Sequence, residues 1–262
     1  GYLDLNGLTV PPIPDQPTPE NALAALATLK LVFKDFDFVA NCDLAAALAG
    51  VLTTLVRVSI RTAPMTAVRA PKMGSGKSLL VDAVALLATG RVAAVMSQGK
   101  DDEEVRKRML AILLAGYPLA CIDNVERPLG GDTLCSVLTQ SVYRDRLLGK
   151  SETRTVPTST VWFSTGNNLE FVGDITTRVV VCDLDPQCEH PERRDFKVDL
   201  RRYVPQHRGE LIAAGLTILR AFHVAGRPNQ GLPTFGRFEE WSDLVRSSLV
   251  WLGEADPCEG IR

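Results

Sequence analysis

Between residues 64 and 185, short apolar runs alternate with longer stretches whose apolar positions recur at helical spacing. MTAVRA (65–70), VAAVM (92–96), PLACIDN (118–124), STVWFSTGNN (159–168) and TRVVVCDL (177–184) have the length and apolar content of buried strands. SLLVDAVALLATG (78–90), DDEEVRKRMLAILLAG (101–116) and TLCSVLTQSV (133–142) fit helices. The first two end in Gly, and the second carries acids in its first turn, where they complement the helix dipole. Alternation at this spacing predicts an α/β fold built on a parallel sheet. A helix is expected over 21–33. A second, Ala- and Leu-rich, is capped by Asn41 or Asp43 and runs towards Arg61, with Pro64 as its stop. RGELIAAGLTILRAFHVAG (208–226) and FEEWSDLVRSSLVWLG (238–253) read as two closing helices. VPPIPDQPTPE (10–20) is a proline-rich arm. The expected organisation is an arm over 1–19, a helical segment over 20–62, an α/β core over 63–186 and a C-terminal helical region over 187–262.

Composition narrows the partners. The chain has 262 residues, 45% hydrophobic and 23% charged, with a formal net charge of -2. No global basic field draws it to nucleic acid, so any such contact must be local. No apolar run approaches the roughly 20 residues of a membrane span, and no membrane partner is expected. Cys42, Cys121, Cys135, Cys182, Cys188 and Cys258 lie in mostly apolar or helical surroundings, which suits free thiols and a cytoplasmic setting. Cys182, Cys188 and His190 lack a fourth ligand at any common zinc spacing, so they are read as structural. The chain opens on Gly1-Tyr2 rather than Met, and a piece of a longer protein is expected.

The chemistry concentrates at RAPKMGSGKSLL (69–80). The pattern G-x-x-x-x-G-K-[ST] is complete except that Pro71 replaces its first Gly. A strand precedes the loop and a helix follows it, as a phosphate site requires. The N–H groups of Gly74, Ser75, Gly76, Lys77, Ser78 and Leu79 would wrap the β-phosphate. Lys77 would reach the β- and γ-phosphates, and the Ser78 hydroxyl would hold Mg²⁺. Pro71 sits where the strand turns into the loop, outside the main phosphate donors. It stiffens the turn at φ near −65°, and the site is expected to survive. Asp123 ends an apolar strand and fits the second Mg²⁺ contact. Asn124 follows where many ATPases place an acid, so Glu126 and Glu104 become rival candidates to activate water, with Glu103 beside the latter. For any single Glu, a solvated charge is the plainer reading. Asn167 can orient water against the γ-phosphate. Arg178, entering the last strand, points to a subunit boundary and could act in trans as an arginine finger.

The order GSGKS, ACIDN, WFSTGNN, DITTR resembles the AAA+ ATPase module of superfamily III helicases. More closely it is similar to the helicase-like domains found with primases in phages and mobile elements, over about 64–185. The resemblance implies a P-loop NTPase with a five-stranded sheet in the order 5-1-4-3-2, ATP and Mg²⁺ as cofactors, and a homo-hexamer or other ring. It implies a primase domain as a partner in the longer protein. It also makes YRDRLLGKSETRTVPT (143–158) a hairpin that holds single-stranded DNA, with Lys150 at its tip and Arg144, Arg146 and Arg154 on phosphates. No aromatic interleaves at the tip, so backbone tracking without base readout is expected.

The expected function is an ATP-hydrolysing DNA helicase or translocase. An ATP-dependent DNA-binding or assembly switch, favoured by Asn124, is the alternative. A small-molecule kinase shares the loop but needs an acceptor pocket and lid arginines. Among lesser features, Arg57 and Arg61 are expected to face water or complement a helix end. Trp241 and Trp251 are expected in the core, and Arg246 offers a cation that could reach the γ-phosphate from a lid helix.

Overall fold

The five apolar runs become strands buried over most of their length: β1 (Met65–Ala70), β2 (Ala94–Ser97), β3 (Leu119–Asp123), β6 (Val161–Asn167) and β7 (Val179–Asp183). Only β2, at an edge, exposes one face. The computed structural model describes residues 7–146, 152–191 and 196–260. All pairings in this sheet are parallel, in the order β2-β3-β6-β1-β7. The labels differ from the expected five because two further strands, β4 (Val142–Arg146) and β5 (Thr153–Pro157), form a separate antiparallel hairpin. Counting the sheet strands alone gives 5-1-4-3-2. Parallel strands need crossovers, and helices α3 (Lys77–Thr89), α4 (Asp102–Ala115) and α5 (Asp132–Thr139) supply them. The helix expected to reach residue 142 stops at Thr139, because Gln140 turns to extended backbone and Val142 opens the hairpin.

Two helices precede the sheet. α1 (Pro19–Phe33) starts with Thr18 accepting from the Asn21 amide and Pro19 in its first turn, a full capping box. It buries Ala22, Leu26, Leu29 and Phe33 and packs along α6 (Leu200–Val224). α2 (Asn41–Val56) lies against β7 and α3. The stretch Asn41–Ser59 is long and apolar enough to cross a membrane by length and composition, but 72% of it is buried inside the protein. Its apolarity therefore serves the core. A β-carbon on Gly50 would come within 2.8 Å of the Phe163 ring, so glycine is what lets α2 press onto β6. Asp43, itself buried, accepts from the N–H groups of Ala40 and Asp183, both at 2.8 Å, and ties the start of α2 to the end of β7.

Two side chains read as surface or ligand groups belong to the frame. Arg57 is 5% exposed and donates to the carbonyls of Ile60 at 2.7 Å and Thr158 at 2.5 Å. Burial without a carboxylate pushes its guanidinium down to about 10. It clamps the hairpin root, which Thr158 N–H closes onto the Ser141 carbonyl. Arg246 is 2% exposed and grips Asp256 through two bonds, of 2.7 and 2.5 Å, so it is spent inside the C-terminal region. Trp241 is buried as expected and donates to Thr53 at 2.8 Å. α6 begins at Leu200, earlier than the apolar pattern indicated, and takes in Pro205. The last helical stretch runs from α7 (Glu239–Trp241) through a π-turn at Ser242–Arg246 into α8 (Ser247–Trp251).

Candidate functional site

Strand order decides what meets. β6 lies between β1 and β3, so its carboxyl end stands between the loop that follows β1 and the carboxylate that ends β3. The register pairs Ala70 with Asn167 and Ile122 with Ser164. Ligands gather at such carboxyl ends in open α/β sheets.

The loop takes the form its glycines allow. Gly74 and Gly76 adopt φ of 75° and 90°, left-handed values that a side chain would strain. The Ser75 hydroxyl closes back onto the Lys72 carbonyl at 2.8 Å. α3 starts at Lys77, its first intrahelical bond running from Leu80 N–H to the Gly76 carbonyl. The N–H groups just before Leu80 are the unpaired donors of a helix start. Pro71 is exposed just past β1. The Arg69 and Ala70 carbonyls before it accept from Leu184 and Asn168, so the strand end is secured without the missing glycine.

Lys77 Nζ donates to Asn167 Oδ1 at 2.7 Å and to the Lys72 carbonyl at 3.0 Å. Neither acceptor is charged. Burial pulls the ammonium below the ordinary lysine value, against the opposing pull of the Asp123 charge. A half-buried cation bonded only to neutral oxygens, beside unpaired helix N–H groups, fits an incoming phosphate. Ser78 Oγ donates to Asp123 Oδ1 at 3.2 Å. A hydroxyl and a carboxylate side by side are oxygen donors of the kind Mg²⁺ takes.

Thr165, one residue before Gly166 on β6, has a part that its sequence context did not announce. Its hydroxyl donates to Asp123 Oδ1 at 2.5 Å and accepts from Asn124 N–H at 3.0 Å. Its place in the alternation, opposite in facing to Ser164, was the available signal. Asn124 turns left-handed at φ 52° and donates through Nδ2 to Glu126 Oε1 at 2.9 Å. Lys77, Ser78, Asp123 and Asn167 are thus brought together, with Glu126 tied in through Asn124.

Glu104 and Arg178 are not. Glu104 lies in the first turn of α4, its N–H donating to the capping Asp101 side chain, and it pairs with Arg108 at 2.8 Å. Glu103 pairs with Lys107 at the same distance. Arg178 precedes β7, whose start is level with the start of β1. Six residues of β1 therefore separate it from the loop of its own chain, roughly 17 Å at ~3.3 Å per step. Its side chain is 18% exposed, with Asp174 at 3.4 Å, and Nη1 is buried with no hydrogen-bond partner among the described residues.

An aromatic group flanks the loop. A β-carbon on Gly76 would meet the Phe196 ring at 3.1 Å and the Phe36 ring at 3.2 Å. These rings pack edge-on with centroids 5.1 Å apart. Phe36 also lines a cleft of about 510 Å³ with Phe38, Leu44, Pro186 and Gln187. Residues 36 and 196 are too distant in sequence for any local pattern to join them.

The hairpin divides its arginines. Cross-strand partners share a face, so Arg144 and Arg146, opposite Thr155 and Thr153, stand on one side. Arg154, opposite Asp145, stands on the other and pairs with Glu152 at 2.7 Å. That second side is turned to α4, where Asp145 lies 3.5 Å from Arg106 and accepts from the Tyr143 hydroxyl. Lys150 lies outside the described residues.

No protein-family model and no curated protein matches the sequence. Solved structures do. The apo structure of the NrS-1 C-terminal region aligns at a TM-score of 0.50 and 15% identity, covering 80% of this chain and 47% of that one. A second structure of that region, residues 305–718, aligns at 0.48 and 12%, covering 78% and 46%. The JCV helicase aligns at 0.38 and 13%, covering 90% and 74%. The chain spans about half the length of the two NrS-1 structures. At these identities the likeness shows the fold alone.

Proposed function

We infer that this chain is the ATP-hydrolysing core of a DNA helicase or translocase, moving single-stranded DNA through a ring of its own copies. The observation that carries the reading is the linked set at the carboxyl ends of β1, β3 and β6. There Lys77 and Asn167 bond at 2.7 Å, and Ser78 and Asp123 at 3.2 Å. Nucleotide would supply the phosphates and Mg²⁺ the charge that draws their oxygens together. The loop amides from Gly74 to Leu79 and Lys77 would hold the phosphates, and Ser78 and Asp123 the metal. With Oδ1 of Asn167 engaged by Lys77, its Nδ2 is left to orient the attacking water. Phe36 and Phe38 offer the base an aromatic wall.

Arg178 stands at the wrong end of the sheet for its own nucleotide. The reading gives it the γ-phosphate of a neighbouring copy, which makes the ring part of the active site. The hairpin, carrying Lys150 and Arg146 with Arg144, would follow the DNA backbone. Arg154 would help from the opposite face. The segments 20–62 and 187–262 are read as helical supports of the core over 63–186, and a primase domain belongs to the longer protein.

A switch that binds ATP and DNA without unwinding is the second reading. Asn124, which cannot accept a proton where an acid is usual, favours it. Steady-state ATP hydrolysis with and without single-stranded DNA separates the two, with Lys77→Ala as the blank. The motor predicts turnover that rises severalfold with DNA and vanishes in the blank. Tight Mg·ATP binding with no turnover, at concentrations that assemble rings, contradicts it.

A further inference from the structure

The turn after β3 is built with more care than a surface loop requires. Asn124 holds a left-handed φ of 52°, a conformation that asparagine tolerates better than most residues with a side chain. Two bonds fix this turn on β6, from Asn124 N–H to Thr165 Oγ1 at 3.0 Å and from Val125 N–H to the Thr165 carbonyl at 2.8 Å. Gly166 lets the turn sit close, since a β-carbon there would come within 2.7 Å of the Val125 carbonyl. The turn aims the Asn124 amide at Glu126, donating to Oε1 at 2.9 Å. Among the described residues that is the one hydrogen bond Glu126 accepts, and no cation pairs with it. The rival acids differ, since Glu103 and Glu104 are each paired with a cation one helical turn on.

We propose that Asn124 is a positioning residue that orients Glu126 as the base for the attacking water. This rests on the ATPase reading above and names how that same site activates its nucleophile. The Asn124 amide holds Oε1, and Oε2 is left to take the proton. The water oxygen bonds to the γ-phosphorus, and the bond from that phosphorus to the β–γ bridging oxygen breaks with its electron pair going to ADP. One water proton passes to Glu126 Oε2 and is then released to solvent. The acid then stands two places further along the chain than in many ATPases, and Asn124, in the usual acid position, guides it.

The test is steady-state hydrolysis at saturating DNA on the full chain, reading kcat and KM for ATP separately. Lys77→Ala in parallel decides the underlying reading. Glu126→Gln is expected to lower kcat by about 10²-fold or more with KM little changed. Asn124→Gly keeps the left-handed turn, which glycine adopts freely, and removes only the amide. It is expected to lower kcat about tenfold, again at near-constant KM. A wild-type kcat in Asn124→Gly would show that the turn alone matters and overturn the positioning role. Hydrolysis abolished by Lys77→Ala but untouched by Glu126→Gln would overturn this assignment alone. Absence of hydrolysis in the wild-type chain would overturn the ATPase reading and this one with it.

Discussion

Lys77 and Asp123 illustrate how a site is prepared by what its charges are not given. Lys77 is bonded to an amide and a carbonyl, and burial lowers its affinity for its own proton. Under the proposed function a phosphate would relieve that cost by giving the cation a charged partner. Asp123 receives two hydroxyls on Oδ1, from Ser78 and Thr165. The second of these comes from a side chain 1% exposed. Thr165→Val keeps the shape, removes that donor, and leaves the Asn124 N–H without its acceptor. It should cost about 1–2 kcal/mol in chemical denaturation and raise severalfold the Mg²⁺ needed for half-maximal hydrolysis. An unchanged Mg²⁺ requirement would deny Thr165 any part in orienting the carboxylate. The loop, Asp123 and Asn167 were legible in the sequence because each sits at a fixed place relative to a strand end. Thr165, Arg57 and Arg246 were not, because their partners are set by contacts between distant segments. Arg57 meets a carbonyl about 100 residues on, at Thr158.

At the scale of elements, the periodicity carried the sheet well and the helix ends less well. Apolar runs located all five sheet strands, since strands buried on both faces need no alternation to be seen and the edge strand β2 keeps an apolar run. The hairpin was legible only through the resemblance, because its strands are polar on one side and short. Pairing then adds what sequence could not, the division of its arginines between two faces. Arg144 and Arg146 face away from α4, whereas Arg154 shares the side of Asp145 that is turned to α4. Arg146→Ala should therefore weaken binding to single-stranded DNA more than Arg154→Ala. It should also reduce the slope of log affinity against log salt by about 0.7, the share of one phosphate contact on a single strand. Fluorescence anisotropy across a salt series measures both. Equal losses for the two variants would mean that the DNA runs along both faces of the hairpin.

The whole molecule sets the loop cluster and Arg178 at opposite ends of one sheet. Lys77, Asp123 and Asn167 stand at the carboxyl ends of their strands, and Arg178 at the start of β7. No motion of a sheet-bound residue brings them together in one chain, so under the proposed function a second copy would present its Arg178. The outside of the proposed ring would stay close to neutral, in keeping with a net charge of -2, while its basic hairpins would gather at the centre. The most direct test of this arrangement is to mix two inactive variants. Lys77→Ala and Arg178→Ala should each lack DNA-stimulated ATP hydrolysis when assembled alone. Mixed at equal amounts, they regenerate interfaces in which one copy supplies Lys77 and its neighbour Arg178. Hydrolysis is then expected to return to a measurable fraction of the wild-type rate. Full activity of Arg178→Ala by itself, or no recovery in assembled mixtures, would contradict a site shared between subunits.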